Sequence, residues 1–332
     1  MRSEIDYKNK VILAPMVRVG TLAFRLLALK YGADIVYSEE LIDKKLIQCQ
    51  RTVNSELGTI DYVCKRENKC IWRTCKDDHP TVIQLGTASD RYAVEAALNM
   101  YPDYDAIDVN MGCPERFSLQ GGMGAALLKD RERVKLILGG LLRHIDKPVT
   151  CKIRLLNKIE DTVDLVKTIE ATGAAAIAVH ARYVEQRPRE PAFPSLVKIL
   201  SESVHIPLIF NGDIRKFEDI NKAKETAGCS SVMIGRGALI NCSIFSEQSP
   251  RPQKEVCMDY IRNCIQYENG YPLSKYTVLK MFGENKTLTK EPFYKHLHAS
   301  KSHEQMLYTL EEEVRINGPG HFEWGNFSSA FH

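Results

Sequence analysis

Residues 106–114 read Ala-Ile-Asp-Val-Asn-Met-Gly-Cys-Pro, a short and mostly apolar run that ends in polar, glycine and proline residues. Similar runs recur along the chain, and almost all of them are followed by polar, glycine-rich or proline-containing sequence. The runs span residues 11–14, 34–37, 81–85, 106–110, 149–153, 175–179, 207–210 and 231–234. A run of this kind is typical of a strand that is buried on both faces.

Helix-length amphipathic stretches lie between most of these runs. They include residues 21–30, 88–100, 131–143, 161–172, 195–202 and 217–224. A helix between two strands makes the second strand parallel to the first, so the pattern predicts an α/β fold, a (β/α)8 TIM barrel. An open, doubly wound sheet produces similar spacing, and the periodicity alone leaves it as an alternative.

The chain has 332 residues, which is enough for a barrel of about 250 residues and a small second domain. After Pro250 the apolar residues recur at helical spacing. They are Val256, Ile261, Ile265, Val278, Met281, Met306, Leu307 and Leu310. This spacing predicts short amphipathic helices. We therefore expect a catalytic barrel over residues 1–249 and a separate helical domain over residues 250–332.

The expected helical domain combines cations with aromatic side chains. Between Arg262 and Lys301 it has seven Lys or Arg residues and three Glu residues. The aromatic residues in or beside this stretch are Tyr260, Tyr267, Tyr271, Tyr276, Phe282, Phe293 and Tyr294. Such a combination suits contact with RNA phosphates and bases. A solvated helix face over an aromatic core has the same composition, and the residues alone do not separate the two interpretations.

The bulk properties favour an enzyme of the cell interior. A net charge of +3 permits RNA as a partner but is well below that of a dedicated nucleic-acid-binding domain. Residues 1–10 are charged and polar, so we expect no secretory signal. No apolar run approaches the roughly 20 residues of a membrane helix, so we expect no membrane partner. Ten scattered cysteines favour a reducing compartment, the cytoplasm.

Cys64, Cys70 and Cys75 are the one cluster of cysteines in the sequence. Structural zinc sites generally use closely spaced pairs of ligands, and these intervals match no such pair. We therefore expect ordinary thiols on a long loop and no metal site.

The ends of the last two runs have features of a phosphate site. One run leads into Asn211, Gly212 and Asp213, and the other leads into Gly235 and Arg236. Glycine lets the backbone amides approach an anion closely, and an arginine adds a fixed positive charge. In TIM barrels these two strands commonly form the phosphate site, which favours this interpretation over two ordinary glycine-containing turns.

The most reactive group follows the fourth run, where Cys113 stands between Gly112 and Pro114. A glycine-rich loop, residues 120–125, comes next. A cysteine at this point has three possible roles: a nucleophile, a general acid or a small buried apolar residue. No thiol-protease signature accompanies it, so a proton donor beside an electron source fits better than a peptidase nucleophile.

At the ends of the runs the sequence resembles the flavin-dependent tRNA-dihydrouridine synthases, and among them the eukaryotic enzymes that act at position 20 of the D-loop. The matching segments are Ile12–Arg18, Ile35–Asp43, Asp108–Pro114, Gly121–Leu128, Val149–Arg154, Ala178–Arg182, Asn211–Ile214 and Met233–Ala238. The segments occur in the same order as in the family. Together with the C-terminal stretch, the resemblance covers roughly residues 10 to 315.

The resemblance implies FMN across the barrel mouth and NADPH as the electron source. It assigns to the cofactor Pro15, Met16, Val17, Arg18, Glu40, Gln84, Lys152, His180, Asn211, Gly212, Asp213, Gly235 and Arg236. Gln84 and Lys152 would bond the polar edge of the ring, where a cation stabilises the anionic reduced flavin. For Lys152 a surface lysine remains the alternative, and for His180 a structural histidine.

The implied reaction is reduction of the uracil 5,6 double bond in tRNA. Hydride would pass from flavin N5 to C6 while Cys113 protonates C5, and a thiol with a pKa near 8.5 is mostly protonated at neutral pH. Asn110, Arg154 and Arg182 would bind the substrate base. The target nucleotide must leave its stack, which costs a few kcal/mol. The resemblance implies no metal, and an oligomeric partner cannot be predicted from the sequence.

Two other functions stay open. A flavin barrel that oxidises or reduces a free pyrimidine would share the phosphate site and the catalytic cysteine, but it would not need the basic, aromatic tail. A non-catalytic tRNA-binding barrel is the second alternative, and the set of Gln84, Cys113, Lys152 and His180 speaks against it.

Overall fold

The computed structural model describes residues 5–187, 189–248 and 250–322. In chain order its strands are β1 (Val11–Leu13), β2 (Ile35–Ile42), β3 (Cys49–Asn54), β4 (Thr59–Cys64), β5 (Lys69–Cys75), β6 (Thr81–Gly86), β7 (Ala106–Met111), β8 (Val149–Leu155), β9 (Ala176–Tyr183), β10 (Leu208–Asn211) and β11 (Ser231–Ile234). All the predicted runs form strands. The eight strands that these runs form, β1, β2 and β6 to β11, are parallel and make a closed barrel.

The predicted barrel is confirmed, and the open sheet is excluded, because β1 pairs with both β2 and β11. The helices are α1 (Leu22–Lys30), α2 (Asp43–Leu46), α3 (Asp90–Met100), α4 (Arg116–Gln120), α5 (Arg131–His144), α6 (Ile159–Glu170), α7 (Pro194–Ser201), α8 (Asp219–Ala227), α9 (Arg236–Ile240), α10 (Gln253–Gln266), α11 (Tyr271–Gly283), α12 (Pro292–Ala299) and α13 (His303–Asn317). Short 3₁₀ helices span 124–129, 242–245 and 288–290.

Side chains alternate between two cores along the barrel strands. Ile12 and Ile35 belong to a small cluster that includes Tyr37 and Met233, whereas Leu13 and Val36 belong to the larger cluster that contains the helix residues. Successive residues of a strand point to opposite faces, so one set fills the barrel and the other packs against the helices. The interior is therefore filled below the carboxyl ends of the strands.

A three-stranded antiparallel sheet, β3-β4-β5, is inserted between the second and third barrel strands. The expectation of a long loop for Cys64, Cys70 and Cys75 is wrong, since Cys64 ends β4 and the other two lie in β5. All three are free thiols. The Tyr62 hydroxyl donates to Asp103 Oδ2 at 2.6 Å and fastens this sheet to the barrel.

The predicted helices after Pro250 are present as α10 to α13. Helix α10 packs on α1, where the rings of Phe24 and Tyr260 lie 5.8 Å apart and Asn263 Nδ2 donates to the Ala23 carbonyl at 3.1 Å. The division into domains at residue 249 stays a prediction. Residues 1–4 of the first domain and 323–332 of the second lie outside the described residues. None of the described helices is long and apolar enough to cross a bilayer.

A buried ion pair joins the inserted sheet to the first barrel helix. Arg25, on α1, bonds Asp78 through Nε at 3.0 Å and through Nη2 at 2.6 Å, and both side chains are almost fully buried. The same guanidinium donates to the carbonyls of Gly20 and Arg73. All three nitrogens of Arg25 are thus used to hold α1, the loop after β1 and β5 together.

We expect Asp78→Asn to lower the free energy of unfolding by ~3–5 kcal/mol, because it leaves the Arg25 charge buried without its counterion. Urea denaturation followed by circular dichroism measures this change. Glu132→Gln, which removes the carboxylate from the exposed Lys135–Glu132 pair, is the matched control and should cost less than about 1 kcal/mol. Equal losses in the two variants would contradict the role given to the Arg25 pair.

Candidate active site

Two adjoining cavities, of about 250 and 170 Å³, open at the carboxyl ends of the barrel strands. Pro15, Lys152 and His180 line both, so the cavities form one mouth. Predicted site residues in the larger cavity also include Met16, Arg182, Asn211, Gly212, Asp213, Gly235 and Arg236. Those in the smaller cavity also include Val17, Glu40, Gln84, Asn110, Cys113 and Arg154.

Of the predicted site residues, Arg18 alone lies outside both cavities. Its backbone has a φ of 68°, and its amide donates to Glu39 Oε2 at 2.9 Å. Its side chain lines a separate groove, where the guanidinium lies 5.5 Å from the ring centre of Tyr276. The structure therefore does not bring Arg18 to the mouth with the other expected cofactor residues.

Cys113 is held by a tight turn at the end of β7. The side-chain oxygen of Asn110 accepts hydrogen bonds from the amides of Gly112 and Cys113, at 3.0 and 3.1 Å. The Cys113 carbonyl accepts from the Ala125 amide at 2.9 Å, which joins the glycine-rich loop to this turn. Burial raises the pKa of the thiol above its ordinary value. Cys113 is thus a protonated, oriented thiol beside the smaller cavity.

Gly124 is what allows the glycine-rich loop to lie so close to Cys113. It has a φ of 57°, and a Cβ at this position would lie 2.6 Å from the Cys113 carbonyl oxygen and 2.4 Å from Ser118 Oγ. The glycine-rich loop is recognisable in the sequence, but the role of Gly124 within it is not. Several glycines soon after a reactive cysteine were a usable signal. The sequence does not show, however, that Gly124 packs against the Cys113 carbonyl.

A buried carboxylate, Asp108, lies under the smaller cavity. It accepts from Gln84 Nε2 at 2.8 Å and from Thr150 Oγ1 at 2.8 Å, and burial raises its pKa to about 6. The bond from Gln84 fixes the amide orientation, so the Gln84 oxygen remains for a ligand. Sequence reasoning missed Asp108 as a positioning residue, although a charged residue within an apolar strand was a usable signal.

Lys152 and Glu40 have shifted pKa values at the mouth. Burial, and then the neighbouring Arg154, lower the pKa of Lys152 to about 8. Burial raises the pKa of Glu40 to about 7 despite a hydrogen bond to Asn110, and its Oε1 has no partner among the described residues. Both groups are therefore easily converted between charged and neutral forms near neutral pH. Such groups are concentrated at catalytic sites.

Asp213 is the centre of the predicted phosphate corner. It accepts hydrogen bonds from Arg182, from Arg236 at 3.0 Å and from the Ala192 amide at 2.8 Å. Burial alone would raise its pKa, but these bonds and charges lower it, so Asp213 stays ionised. Arg182 is 1% exposed and also donates to the Glu190 carbonyl. Arg182 thus holds Asp213 in place, and its contact with a substrate base stays a prediction.

His180 lies among four cations. Burial lowers its pKa well below the ordinary value, and Lys152, Arg154, Arg182 and Arg236 lower it further, so the ring is neutral. Its Nε2 lies 3.1 Å from Arg182 Nη1. Arginine only donates, so Nε2 accepts and the proton is on Nδ1. His180 thus retains a donor for a ligand in the mouth.

The charges of the mouth fit a phosphate-bearing cofactor. Arg182, Arg215 and Arg236 line the larger cavity with Asp213 and Glu284, and Lys152 adds a further cation. Glycine is required at position 212, where a Cβ would lie 2.7 Å from Ala192 Cβ. Positive charge beside glycines at the ends of the last two strands suits a nucleotide phosphate.

The C-terminal helices contribute fewer exposed aromatic residues than the sequence indicated. Tyr260, Phe282 and Phe293 are buried in the core and cannot stack on a base, which corrects the expectation for these three. Tyr276 and Tyr294 are partly exposed and line a cavity of about 340 Å³ with Lys280. Some of the aromatic residues after Pro250 are thus part of the core, and others lie with Lys280 at the surface.

The sequence matches the family described as dihydrouridine synthase (Dus) over residues 12–315. A Schizosaccharomyces pombe protein named as an NAD(P)+ tRNA-dihydrouridine(20) synthase is 39% identical over 82% of this chain and 59% of that protein. A Saccharomyces cerevisiae protein with the same name is 34% identical over 93% of this chain and 85% of that protein. The chain therefore spans less than two thirds of the S. pombe relative.

Solved structures share the fold at low sequence identity. A 2-naphthoyl-CoA reductase complex has a TM-score of 0.53 at 11% identity, over 84% of this chain and 57% of that chain. The old yellow enzyme homologue from Zymomonas mobilis has a TM-score of 0.51 at 12% identity, over 73% of this chain and 89% of that chain. At this level the likeness establishes the barrel alone.

We expect Gly124→Ala to lower the free energy of unfolding by ~2 kcal/mol or more, from the positive φ and from overlap with Cys113 and Ser118. Gly139→Ala is the matched control: it lies in α5, its Cβ would meet only the flexible end of Arg143, and it should be neutral or stabilising. Chemical denaturation measures both. An unchanged stability in Gly124→Ala would show that the loop does not support Cys113 as described.

Proposed function

Because the chain belongs to the dihydrouridine synthase family, we propose that it reduces the 5,6 double bond of uracil in the D-loop of tRNA, at position 20. The names of the yeast relatives support this substrate. The observation that carries the proposal is the protonated thiol of Cys113 in one mouth with Lys152 and His180. We further propose FMN as the cofactor and NADPH as the electron source.

The reaction adds a hydride and a proton across one double bond. The hydride for C6 of the uracil would come from a reduced flavin bound in the mouth. Cys113 donates its thiol proton to C5, and the resulting thiolate regains a proton from solvent. The turn formed by Asn110 fixes the backbone of Cys113, and the raised pKa of Cys113 keeps the proton on sulfur until it is transferred. Arg154 lines the same cavity and binds the substrate base with Asn110 and Arg182.

The mouth residues would hold the cofactor in three groups. Pro15, Met16 and Val17 would line the ring. Gln84 and Lys152 would bond its polar edge, Glu40 would add a nearly neutral carboxyl group, and Asp108 fixes the Gln84 amide. The phosphate and ribityl chain would be held by His180, Asn211, Gly212, Asp213, Gly235 and Arg236, which line the larger cavity. The excess of cations over carboxylates there supports an anionic ligand.

We propose that the barrel over residues 1–249 carries the chemistry and that the helices after residue 250 help to hold tRNA. Exposed Lys286, Lys290 and Lys295 can contact phosphates, and Tyr276 and Tyr294 present partly exposed rings. All ten cysteines are free, which supports work in the reducing cytoplasm.

One experiment tests the proposed function against the alternatives. The purified protein is reduced with NADPH without oxygen and mixed with unmodified tRNA, free uracil or uridine, while flavin absorbance is followed. Reoxidation by tRNA, with dihydrouridine in the product, supports the proposal. Reoxidation by a free pyrimidine alone would assign a different oxidoreductase, and a protein that binds no flavin would indicate a tRNA-binding scaffold.

Cys113→Ala should retain the flavin and its reduction by NADPH but lose dihydrouridine formation at least ~100-fold, since general acid catalysis commonly contributes that much. Mass spectrometry of digested tRNA measures the product. Cys229→Ala, which removes a buried thiol at the start of β11, is the control and should retain activity. Full turnover by Cys113→Ala would disprove the proton-donor role.

Lys152 should make flavin reduction depend on pH. Its pKa is lowered to about 8, so its charge is present below that pH and is lost as the pH rises through it. The rate of flavin bleaching by NADPH should therefore fall above pH of about 8 in the native protein. Lys152→Met should be slow at every pH without that inflection, whereas the exposed Lys167→Met should keep it. A native inflection in Lys152→Met would contradict the assignment.

A further inference from the structure

A groove of about 610 Å³ leaves the active-site mouth on the side of β2. Its walls are the loop after β1, the end of β2, strand β5 and the turn between α10 and α11. Glu40 lines both this groove and the cavity beside Cys113, so the two spaces adjoin. We call it the Arg18–Lys69 groove, after the two cations at its edge. Its volume is within the range of about 300–1,000 Å³ common for small-molecule sites.

The cations of the groove fall into two groups. Arg25, Arg73 and Lys45 are neutralised by ion pairs with Asp78, Asp61 and Glu67. Arg18 and Lys69 have no ion pair with any residue in the described part of the chain, although both influence Glu39. Glu39, Glu40 and Glu268 also line the groove, and burial raises the pKa of Glu39 while Lys69 and Arg18 lower it. The groove therefore presents two exposed cations without ion pairs beside three carboxyl groups.

The wall of the groove also contains polar atoms without partners. Trp72 Nε1 and Thr21 Oγ1 are buried, and neither makes a hydrogen bond within the described ranges. Thr21 precedes α1 in the capping position but does not cap it. Buried polar atoms are nearly always satisfied in folded proteins, so these two atoms are exceptions among the residues that line the groove.

A second and wider cleft leaves the mouth on the opposite side. It has a volume of about 1250 Å³, and Pro114 and Arg154 line both this cleft and the Cys113 cavity. The uracil must present C5 to Cys113, and the cleft that borders the Cys113 turn has the room for the attached nucleotides. The narrower Arg18–Lys69 groove remains for a smaller anionic ligand that reaches the same mouth.

We propose that the Arg18–Lys69 groove binds the phosphate-bearing part of NAD(P)H, with the nicotinamide directed into the mouth past Glu40. This inference rests on the proposed function for the identity of the reductant. Two exposed cations without ion pairs suit the diphosphate, and the volume of the groove suits the rest of a dinucleotide. The reductant and the RNA would then approach one mouth by separate paths and use it in turn.

Lys69→Glu tests the groove, and Lys65→Glu is the matched control, since Lys65 is exposed in the turn before β5 and does not line the groove. Calorimetric titration of the flavin-loaded protein with NADP+ measures binding without turnover. We expect Lys69→Glu to raise the Kd about tenfold or more and Lys65→Glu to leave it within about twofold. Filter binding should show the same tRNA affinity in Lys69→Glu as in the native protein.

A reductant without phosphates provides a second readout. 1-Benzyl-1,4-dihydronicotinamide should reduce the flavin of Lys69→Glu at the native rate, because it has no group for the groove to hold. An unchanged Kd for NADP+ in Lys69→Glu, or a loss of tRNA affinity instead, would overturn the proposal, the latter in favour of an RNA path. If Lys69→Glu weakens NADP+ binding but the native protein forms no dihydrouridine in tRNA, the result would support the groove assignment and overturn the proposed substrate.

Discussion

Closure of the barrel through β1 is the constraint on which the site depends. This strand has three residues, and it pairs with β11 at Val11↔Val232 and with β2 at Ile12↔Ile35. Pro15 and Arg236 are more than two hundred residues apart in sequence, and only this closure brings them to one cavity. The registers Asn110↔Lys152 and Arg154↔His180 then place the functional side chains together at the carboxyl ends of neighbouring strands.

The arrangement concentrates positive charge where water is scarce. Burial, reinforced by the charges of Lys152, Arg154, Arg182 and Arg236, keeps His180 neutral. Burial also lowers the pKa of Lys152 to about 8 and that of Arg154 to about 10. Asp213 offsets part of this charge by accepting from two arginines. The remaining positive potential costs stability in the absence of an anion, and a bound phosphate would relieve it.

The sequence predicted the barrel strands because each is a continuous apolar run with a polar end. It did not predict the β3–β5 sheet, whose strands mix buried and exposed residues without clean alternation; in β3 residues 50–53 are all exposed. Most of the site could be predicted because strand ends converge in a barrel. Arg18 could not be placed, since its direction is set by a loop with a positive φ, and Asp108 and Gly124 act through contacts across the fold.

The C-terminal helices form part of the mouth and do not simply flank it. Glu284, just after α11, lines the larger cavity, and its charge raises the pKa of Arg236, which burial lowers. Tyr276 on α11 contacts the Arg18 guanidinium, and Asn263 on α10 bonds the carbonyl of Ala23. A shift of these helices would therefore move a wall of the phosphate corner and a cation of the groove together.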